Sequence, residues 1–229
     1  MIDCYINNET SLFSLGVYLQ SRPCIPANEQ EVENIYVPGR DGDLTIVKGW
    51  KDREFSLPLN FVEFNNLPKK MREIRSVLLD AKIISFSEDT DVYYKVKRIS
   101  IGDMQRELSM FGKFTVTFIL EPFDYSNDTS ILIINSNTSI YNTATHYSKP
   151  KLKLYGNGNL QVSINSQTFQ INNVTSYVEI DSELQQCHED TLNKEFIGSY
   201  PVLEVGENKI TKSSNISKIE IDPRWRYRW

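Results

Sequence analysis

The sequence predicts a mainly β protein built as two β-sandwich domains, the first of them carrying a single amphipathic helix. Three observations lead there. Tyr and Phe number 12 and 11 among 229 residues, and Ile and Val recur throughout; aromatic and β-branched side chains suit a pleated, half-buried surface. Apolar residues alternate at period two in several runs. Only one segment shows the 3.6-residue period of a helix.

Taken in order, Val17-Tyr18-Leu19 and Ile35-Tyr36-Val37 read as strands, with a polar loop over Ser21 to Asn34 that contains Glu29, Glu31 and Glu33. Pro38-Gly39-Arg40-Asp41-Gly42-Asp43 is a turn cluster: proline fixes φ and the glycines supply positive φ. It joins Ile35–Val37 to Leu44–Val47 as a hairpin or tight reversal. In Arg53 to Val62, Phe55, Leu57, Leu59 and Phe61 mark one strand face, and Pro58 marks a ladder gap at an edge. The helix is expected from about Leu67 to Asp80, with Met71, Ile74, Val77 and Leu78 inward, Asn66 as N-cap and Pro68 in the first turn. Strands resume at Ile83–Phe86, followed by a turn over Ser87–Asp91. Val92–Ile101 and Lys113–Leu120 form a long hairpin through a polar loop, ended by Glu121-Pro122-Phe123-Asp124.

Residues 124–149 are rich in Asn, Ser and Thr, and the boundary belongs in this stretch, giving domains 1–130 and 131–229. Beyond Pro150 seven short strands are expected: Lys151–Tyr155, Leu160–Ile164, Thr168–Ile171, Tyr177–Ile180, Pro201–Val205, Lys209–Ile210 and Ile216–Ile221. Tyr155-Gly156-Asn157-Gly158-Asn159-Leu160 reads as a hairpin turn of the Asn-Gly type, and Asn165-Ser166-Gln167 as another. Close turn signals of this kind point to a compact sandwich.

Charge narrows the function. The formal net charge is -5; residues 1–124 hold 15 basic and 19 acidic side chains and residues 125–229 hold 10 and 11, balances of -4 and -1. Neither half has the positive field that non-specific nucleic-acid binding needs. Cys4, Cys24 and Cys187 are an odd count without paired spacing, which reads as reduced thiols. Met1-Ile2-Asp3-Cys4-Tyr5 lacks a basic n-region and an apolar h-region, so no signal peptide is expected. No apolar run approaches the ~20 residues that span a bilayer.

Candidate chemistry is sparse. Cys187-His188 resembles half a metal site, but no second ligand pair stands at zinc spacing, and with Glu189 and Asp190 it reads as a surface turn. Carboxylates that could serve a glycosidase are Asp41 with Asp43, Glu88 with Asp91, and Glu179 with Asp181; turn hydrogen bonding explains the first four. Gly156-Asn157-Gly158-Asn159 lacks the Gly-Lys-Ser/Thr ending of a phosphate loop. Neither catalytic residues nor a cofactor or metal site is therefore expected. The ending Asp222-Pro223-Arg224-Trp225-Arg226-Tyr227-Arg228-Trp229 is the unusual feature. If extended, it sends its three arginines one way and its aromatic rings the other. It reads as a closing strand that partly faces a partner; stacking on single-stranded nucleic acid or sugar rings is the alternative.

Several segments together resemble one family, the distal tail proteins of siphophages infecting Gram-positive bacteria. They are Val37-Pro38-Gly39-Arg40-Asp41-Gly42-Asp43-Leu44; Phe86-Ser87-Glu88-Asp89 leading to Tyr93-Tyr94-Lys95-Val96; Gly112-Lys113-Phe114-Thr115-Val116-Thr117-Phe118 running to Glu121-Pro122-Phe123; Lys151-Leu152-Lys153-Leu154-Tyr155-Gly156-Asn157-Gly158-Asn159; Pro201-Val202-Leu203-Glu204-Val205-Gly206-Glu207-Asn208; and Ile219-Glu220-Ile221-Asp222-Pro223-Arg224-Trp225-Arg226. Order and spacing agree over nearly the whole chain. The resemblance implies a tail-tube-like N-terminal sandwich that forms a homo-hexameric ring with a channel for DNA. It implies a galectin-like or carbohydrate-module-like C-terminal sandwich. The ring would join the tail-tube protein above to tail-associated and receptor-binding proteins below, in a virion made in the bacterial host cytoplasm, with no membrane and no specific nucleic-acid contact. Assembly candidates carried by these motifs are Pro38, Gly39, Arg40, Asp41, Gly42, Gly156, Gly158, Pro223, Arg224, Trp225 and Arg226. The rival readings are a carbohydrate-binding module for host wall polysaccharide, with exposed aromatics on a concave sheet, and a wall hydrolase using Asp41 or Glu179.

Overall fold

The computed structural model describes residues 2–63, 66–106 and 111–228, and of Arg106 the backbone only. Two compact units are present, one formed by the chain up to Asn127 together with Arg228, the other by Asp128–Tyr227. The chain is mainly β in both.

In the N-terminal unit an antiparallel sheet runs in the spatial order Thr10–Ser11, Cys4–Ile6, Ile83–Phe86, Asp89–Ile101, Phe111–Ser126, Arg53–Val62, Val17–Leu19. Its inner face carries the period-two residues: Phe55, Leu57, Leu59 and Phe61 from one strand meet Phe114, Val116, Phe118 and Leu120 from its neighbour, all buried. The sheet curls over its own core. Two strands separate Ile83–Phe86 from Arg53–Val62 in the sheet, yet the rings of Phe86 and Phe55 are 6.0 Å apart, closer than the ~14 Å that three strand spacings of a flat sheet impose. The helix, Leu67–Leu79, buries Leu67, Ile74 and Leu78. The Asn66 side chain accepts the Lys69 N–H at 3.0 Å, capping the first turn. Pro68 sits where an N–H would have no helical partner.

Pro58 does mark a gap. Val17–Leu19 covers the far flank of Arg53–Val62 only from Leu59 to Phe61. At Pro58 the carbonyl accepts the Gln20 N–H, and no N–H is available to return. The long strand does not stop at Glu121–Asp124 as expected; it continues to Ser126. Between Leu120, opposite Val96, and Asp124, opposite Tyr94, the register slips, and the bulge absorbs Pro122. The turn after Phe86 is also shorter than expected, since the next strand already begins at Asp89. Part of the polar loop after Ile101 falls on residues 107–110, outside the described residues; before it Gln105–Arg106 pairs with Gly112 and Lys113.

The C-terminal unit is a sandwich of a six-stranded and a five-stranded sheet. The first runs Leu132–Ile134, Ile216–Asp222, Lys151–Gly156, Tyr177–Asp181, Gln186–Glu189, Leu192–Asn193. The second runs Thr138–Asn142, Gly206–Lys212, Gly158–Ile164, Gln167–Val174, Phe196–Gly198. Leu152, Leu154, Val178, Ile180, Ile219 and Ile221 face Leu160, Val162, Ile164, Phe169, Ile171 and Ile210 across one core.

Three expectations for this unit are corrected. The Asn157-Gly158 turn does not close a hairpin: the strand before it pairs with Tyr177–Asp181 and Ile216–Asp222, while the strand after it pairs with Gln167–Val174 and Gly206–Lys212. The chain changes sheets here, held by the Asn215 amide, whose Nδ2 donates to the Asn157 and Asn159 carbonyls at 2.9 Å each. Pro201–Val205 is not a strand; only Leu203 bridges Ser148, because the Asn208 side chain bonds Glu204 and Gly206 and folds that segment into a turn. Cys187-His188 is not a surface turn but lies on Gln186–Glu189 at the side of the first sheet. The Asn165-Ser166 turn is a two-residue hairpin, with Ile164 opposite Gln167 and Asn165 at φ 55°.

Glu189 shows how a buried acid is accommodated. Its carboxylate is 2.6 Å from Lys194 Nζ and accepts the Thr175 hydroxyl and the backbone N–H groups of Thr175 and Ser176 at 3.1 and 3.0 Å. The Lys194 ammonium first, then the Thr175 hydroxyl and the two N–H donors, hold its pKa down at about 2 against an ordinary 4.5. A carboxyl depressed in the fold stabilises fully above pH 4.5 and loses that contribution as pH falls towards 2. The wild-type melting temperature is therefore expected to fall more steeply than that of Glu189→Gln over this window. Parallel acid melting curves for the two proteins would refute it.

Candidate functional site

The most exposed apolar structure in the N-terminal unit is a two-stranded ribbon, Gln30–Ile35 paired with Leu44–Trp50. No apolar period marks residues 30–34 as a strand in the sequence, where a loop over Ser21 to Asn34 is expected, because Glu31, Glu33 and Asn34 interrupt the apolar residues and a strand solvated on both faces carries no period-two signal. Cross-strand pairs share a face, so Val32 lies with Val47, Ile35 with Leu44, and Ile46 with Glu33. Both faces thus carry apolar side chains, and Val32, Ile35, Tyr36, Val37, Leu44, Ile46 and Val47 are all exposed. Glu33 pairs with Lys48 at 2.7 Å and Glu29 with Lys51 at 2.7 Å, which ties the strands without covering either face.

The tip holds five of the motif residues. The Arg40 N–H donates to the Val37 carbonyl at 3.2 Å across Pro38 and Gly39. Gly39 has φ 82°, so Pro-Gly occupies the two central positions of a type II turn, where a positive φ requires glycine. Gly42 follows at φ 76°. Arg40 and Asp41 are exposed. At the base, the Arg53 guanidinium reaches Asp124 Oδ1 at 2.7 Å and the carbonyls of Glu121 and Pro26 at 3.3 and 3.4 Å. The Asn28 amide donates to the Pro122 carbonyl, and Trp50 packs edge-on against Phe123 at 5.9 Å. The ribbon is therefore anchored on the strand bulge and free beyond it. An isolated two-stranded hairpin is marginal in water, and covering a Val, Leu or Ile contributes roughly 1.5–3 kcal/mol per side chain. A surface of this kind calls for a partner.

The other motif residues lie in the C-terminal unit. Gly156 and Gly158 form the sheet-to-sheet crossover. The ending is not the alternating extended strand expected, because Arg224 has φ 50° and breaks the alternation. Arg224 instead turns back to Asp181, with guanidinium nitrogens 3.0 and 2.8 Å from its two oxygens. Arg226 is buried, its Nε donating to the Tyr147 carbonyl at 2.6 Å and its guanidinium stacked 4.5 Å from the Tyr147 ring. Trp225 packs against the sandwich core and Pro223 is buried. These side chains close the sandwich.

The outer face of the six-stranded sheet carries Tyr155 and Tyr177, but neither ring is a bare platform. Lys218 and Lys153 each sit 4.1 Å from a ring centroid, over Tyr155 and Tyr177 respectively. Glu179 lies between Lys151 and Lys153 at 2.9 and 3.0 Å, and these hydrogen-bonded cations hold its carboxyl below the usual range. Burial works to raise the Asp181 carboxyl, but the Arg224 guanidinium and the Leu184 and Glu183 N–H groups, all donating to Asp181, outweigh it and leave it lowered. A glycosidase acid needs the opposite shift. Burial pushes the Cys187 thiol up to about 11, and His188, next to it on the strand, points to the other face. Among the described residues no group of three or more His, Cys, Asp or Glu is placed to hold a metal, and no helix is long and apolar enough to cross a membrane.

No protein-family model matches the chain, and no curated protein sequence matches it. Solved structures do. The Dit protein (gp 19.1) of phage SPP1, described as a paradigm of the hub adsorption apparatus in phages infecting Gram-positive bacteria, superposes over 100% of this chain and 99% of its own, with TM-score 0.66 at 12% identity. The fold is that of a phage Dit protein. A chain of the phage p2 baseplate in its activated conformation with Ca matches over 100% and 99% at TM-score 0.52 and 10% identity. One from the same baseplate with Sr matches over 96% of each chain at 0.51 and 10%. The Dit likeness spans both units, so the sequence resemblance and the fold point to the same proteins.

Proposed function

We propose that this chain is a structural protein of a phage tail tip, a distal tail hub. Six copies would form a ring around a channel for DNA, between the tail-tube protein above and tail-associated and receptor-binding proteins below. Ring formation is assigned to the N-terminal domain, residues 1–130, and a galectin-like role to residues 131–229. The observation that carries this reading is the end-to-end superposition on SPP1 Dit. The exposed two-faced ribbon supports it, since such an element has a physical reason to exist only in an assembly. The balance of acids over bases also suits a channel that DNA must traverse without adhering.

The test is light scattering on the purified protein, followed by negative-stain imaging of the same fraction. Six-fold rings with an open centre are expected. A strict monomer that binds purified Gram-positive wall polysaccharide would overturn the hub in favour of a carbohydrate-binding module.

A further inference from the structure

The ribbon tip has a complementary receptor on the same chain. A cavity of about 370 Å³ in the N-terminal unit is lined by Pro23, Ile25, Phe86, Glu88, Asp89 and Tyr94. Its walls are aromatic and aliphatic, and its rim is acidic. The ribbon tip offers the reverse: Tyr36, 74% exposed, and Val37 next to the Arg40 cation. The minor charges also match, because Arg22, paired with Glu88 at 3.2 Å and itself exposed, stands at the rim to meet Asp41 of the tip.

The paired strands carry the tip away from the cavity of its own subunit. Pro23 and Ile25 lie on the segment that runs into the ribbon base, where Pro26 and Asn28 are bonded to the Glu121–Asp124 bulge and its neighbour Arg53. Six residues of paired strand, Gln30–Ile35, then carry the tip about 20 Å away, at ~3.4 Å per residue. The ladder shifts register once, between Glu31 and Val32, and from there pairs without a break to Ile35 opposite Leu44. We infer that the ribbon tip of one copy docks in the Pro23–Tyr94 cavity of a second copy. Tyr36 and Val37 seat on Pro23 and Ile25 over the outer edges of the buried Phe86 and Tyr94 rings, and Arg40 pairs with Asp89. Arm and receptor are different patches, so the contact is head-to-tail and propagates until rotation closes it. This deepens the hub reading and supplies the contact that its ring requires.

A charge swap on the full chain tests it. Arg40 and Asp89 are both exposed, so Arg40→Glu is expected to leave the melting temperature of the subunit unchanged, and Asp89→Arg, which gives up the Asp91 N–H bond at 3.3 Å, to lower it only slightly. Each alone is expected to raise the concentration needed for assembly, read by light scattering, at least tenfold. Combined in one chain they restore assembly, because every head-to-tail contact then regains an opposite pair. Tyr36→Ala serves as a second variant and is expected to weaken assembly with no rescue by Asp89→Arg. If both single swaps assemble like the wild type, or the double swap fails to recover, the inference is overturned while six-fold rings of the wild type would leave the hub reading standing. A wild type monomeric at every concentration overturns this contact, and the hub reading then rests on its own imaging and wall-binding test.

Discussion

Arg53→Ala is expected to destabilise the N-terminal unit by about 3–5 kcal/mol. Arg53 and Asp124 are each 2% exposed and 2.7 Å apart, so removing the guanidinium leaves a carboxylate in a site that excludes water. The same guanidinium also bonds the Glu121 and Pro26 carbonyls and lies 5.6 Å from the Tyr94 ring. Truncation thus releases the strand bulge and the ribbon base together. The measurement is urea unfolding with hydrogen exchange read along Phe111–Ser126, which reports this unit by itself. Arg53→Met with Asp124→Leu is expected to recover most of the loss, since apolar groups of similar volume replace a buried pair at little cost. A loss under about 1 kcal/mol for Arg53→Ala would show that water reaches the pair and that the bulge is held by packing.

Gly156→Ala is expected to destabilise the C-terminal sandwich by about 3 kcal/mol or more, the upper end for overpacking. A Cβ there would lie 2.5 Å from the Asn215 carbonyl oxygen, 2.9 Å from Leu160 Cδ2 and 3.2 Å from Ile216 Cα. Two of these are backbone atoms and cannot swing aside. Gly158→Ala makes the contrast: nothing but Asn215 Nδ2 comes within 4 Å, and the cost reduces to holding φ near 85°, about 1–2 kcal/mol. Calorimetric melting of both variants separates close approach from conformational strain. Equal losses would refute the crossover geometry, in which the strand before Gly156 and the strand after it belong to different sheets.

That crossover shows where a sequence pattern runs out. Asn157-Gly158 carries the signal of a tight reversal, and the backbone does turn there. Which strand each flank pairs with is decided by contacts more than fifty residues away, at Asn215 and Ile216. The C-terminal motif follows the same logic. Alternating Arg and aromatic residues read as an extended strand with a charged face, but the fold supplies Asp181 and the Tyr147 carbonyl as partners, and Arg224 and Arg226 turn to meet them.

The sequence by itself determined the elements whose physics is local. The strand faces of Arg53–Val62 and Phe111–Ser126 follow from period two, the helix from its single amphipathic stripe and Asn66 cap, and the tip turn from Pro38-Gly39. It also determined the mainly β architecture and the resemblance to distal tail proteins. Only the tertiary structure decided the rest. The ribbon is a strand pair with no buried face, so no apolar periodicity announces it; it exists because Arg53, Asn28 and Trp50 clamp its root to a bulge formed by residues some seventy positions later. Its receptor likewise gathers Pro23 and Ile25 with Phe86, Asp89 and Tyr94, groups that share no spacing in the chain. Non-local pairing is invisible to propensity because its free energy comes from contacts that the chain makes only after it has folded.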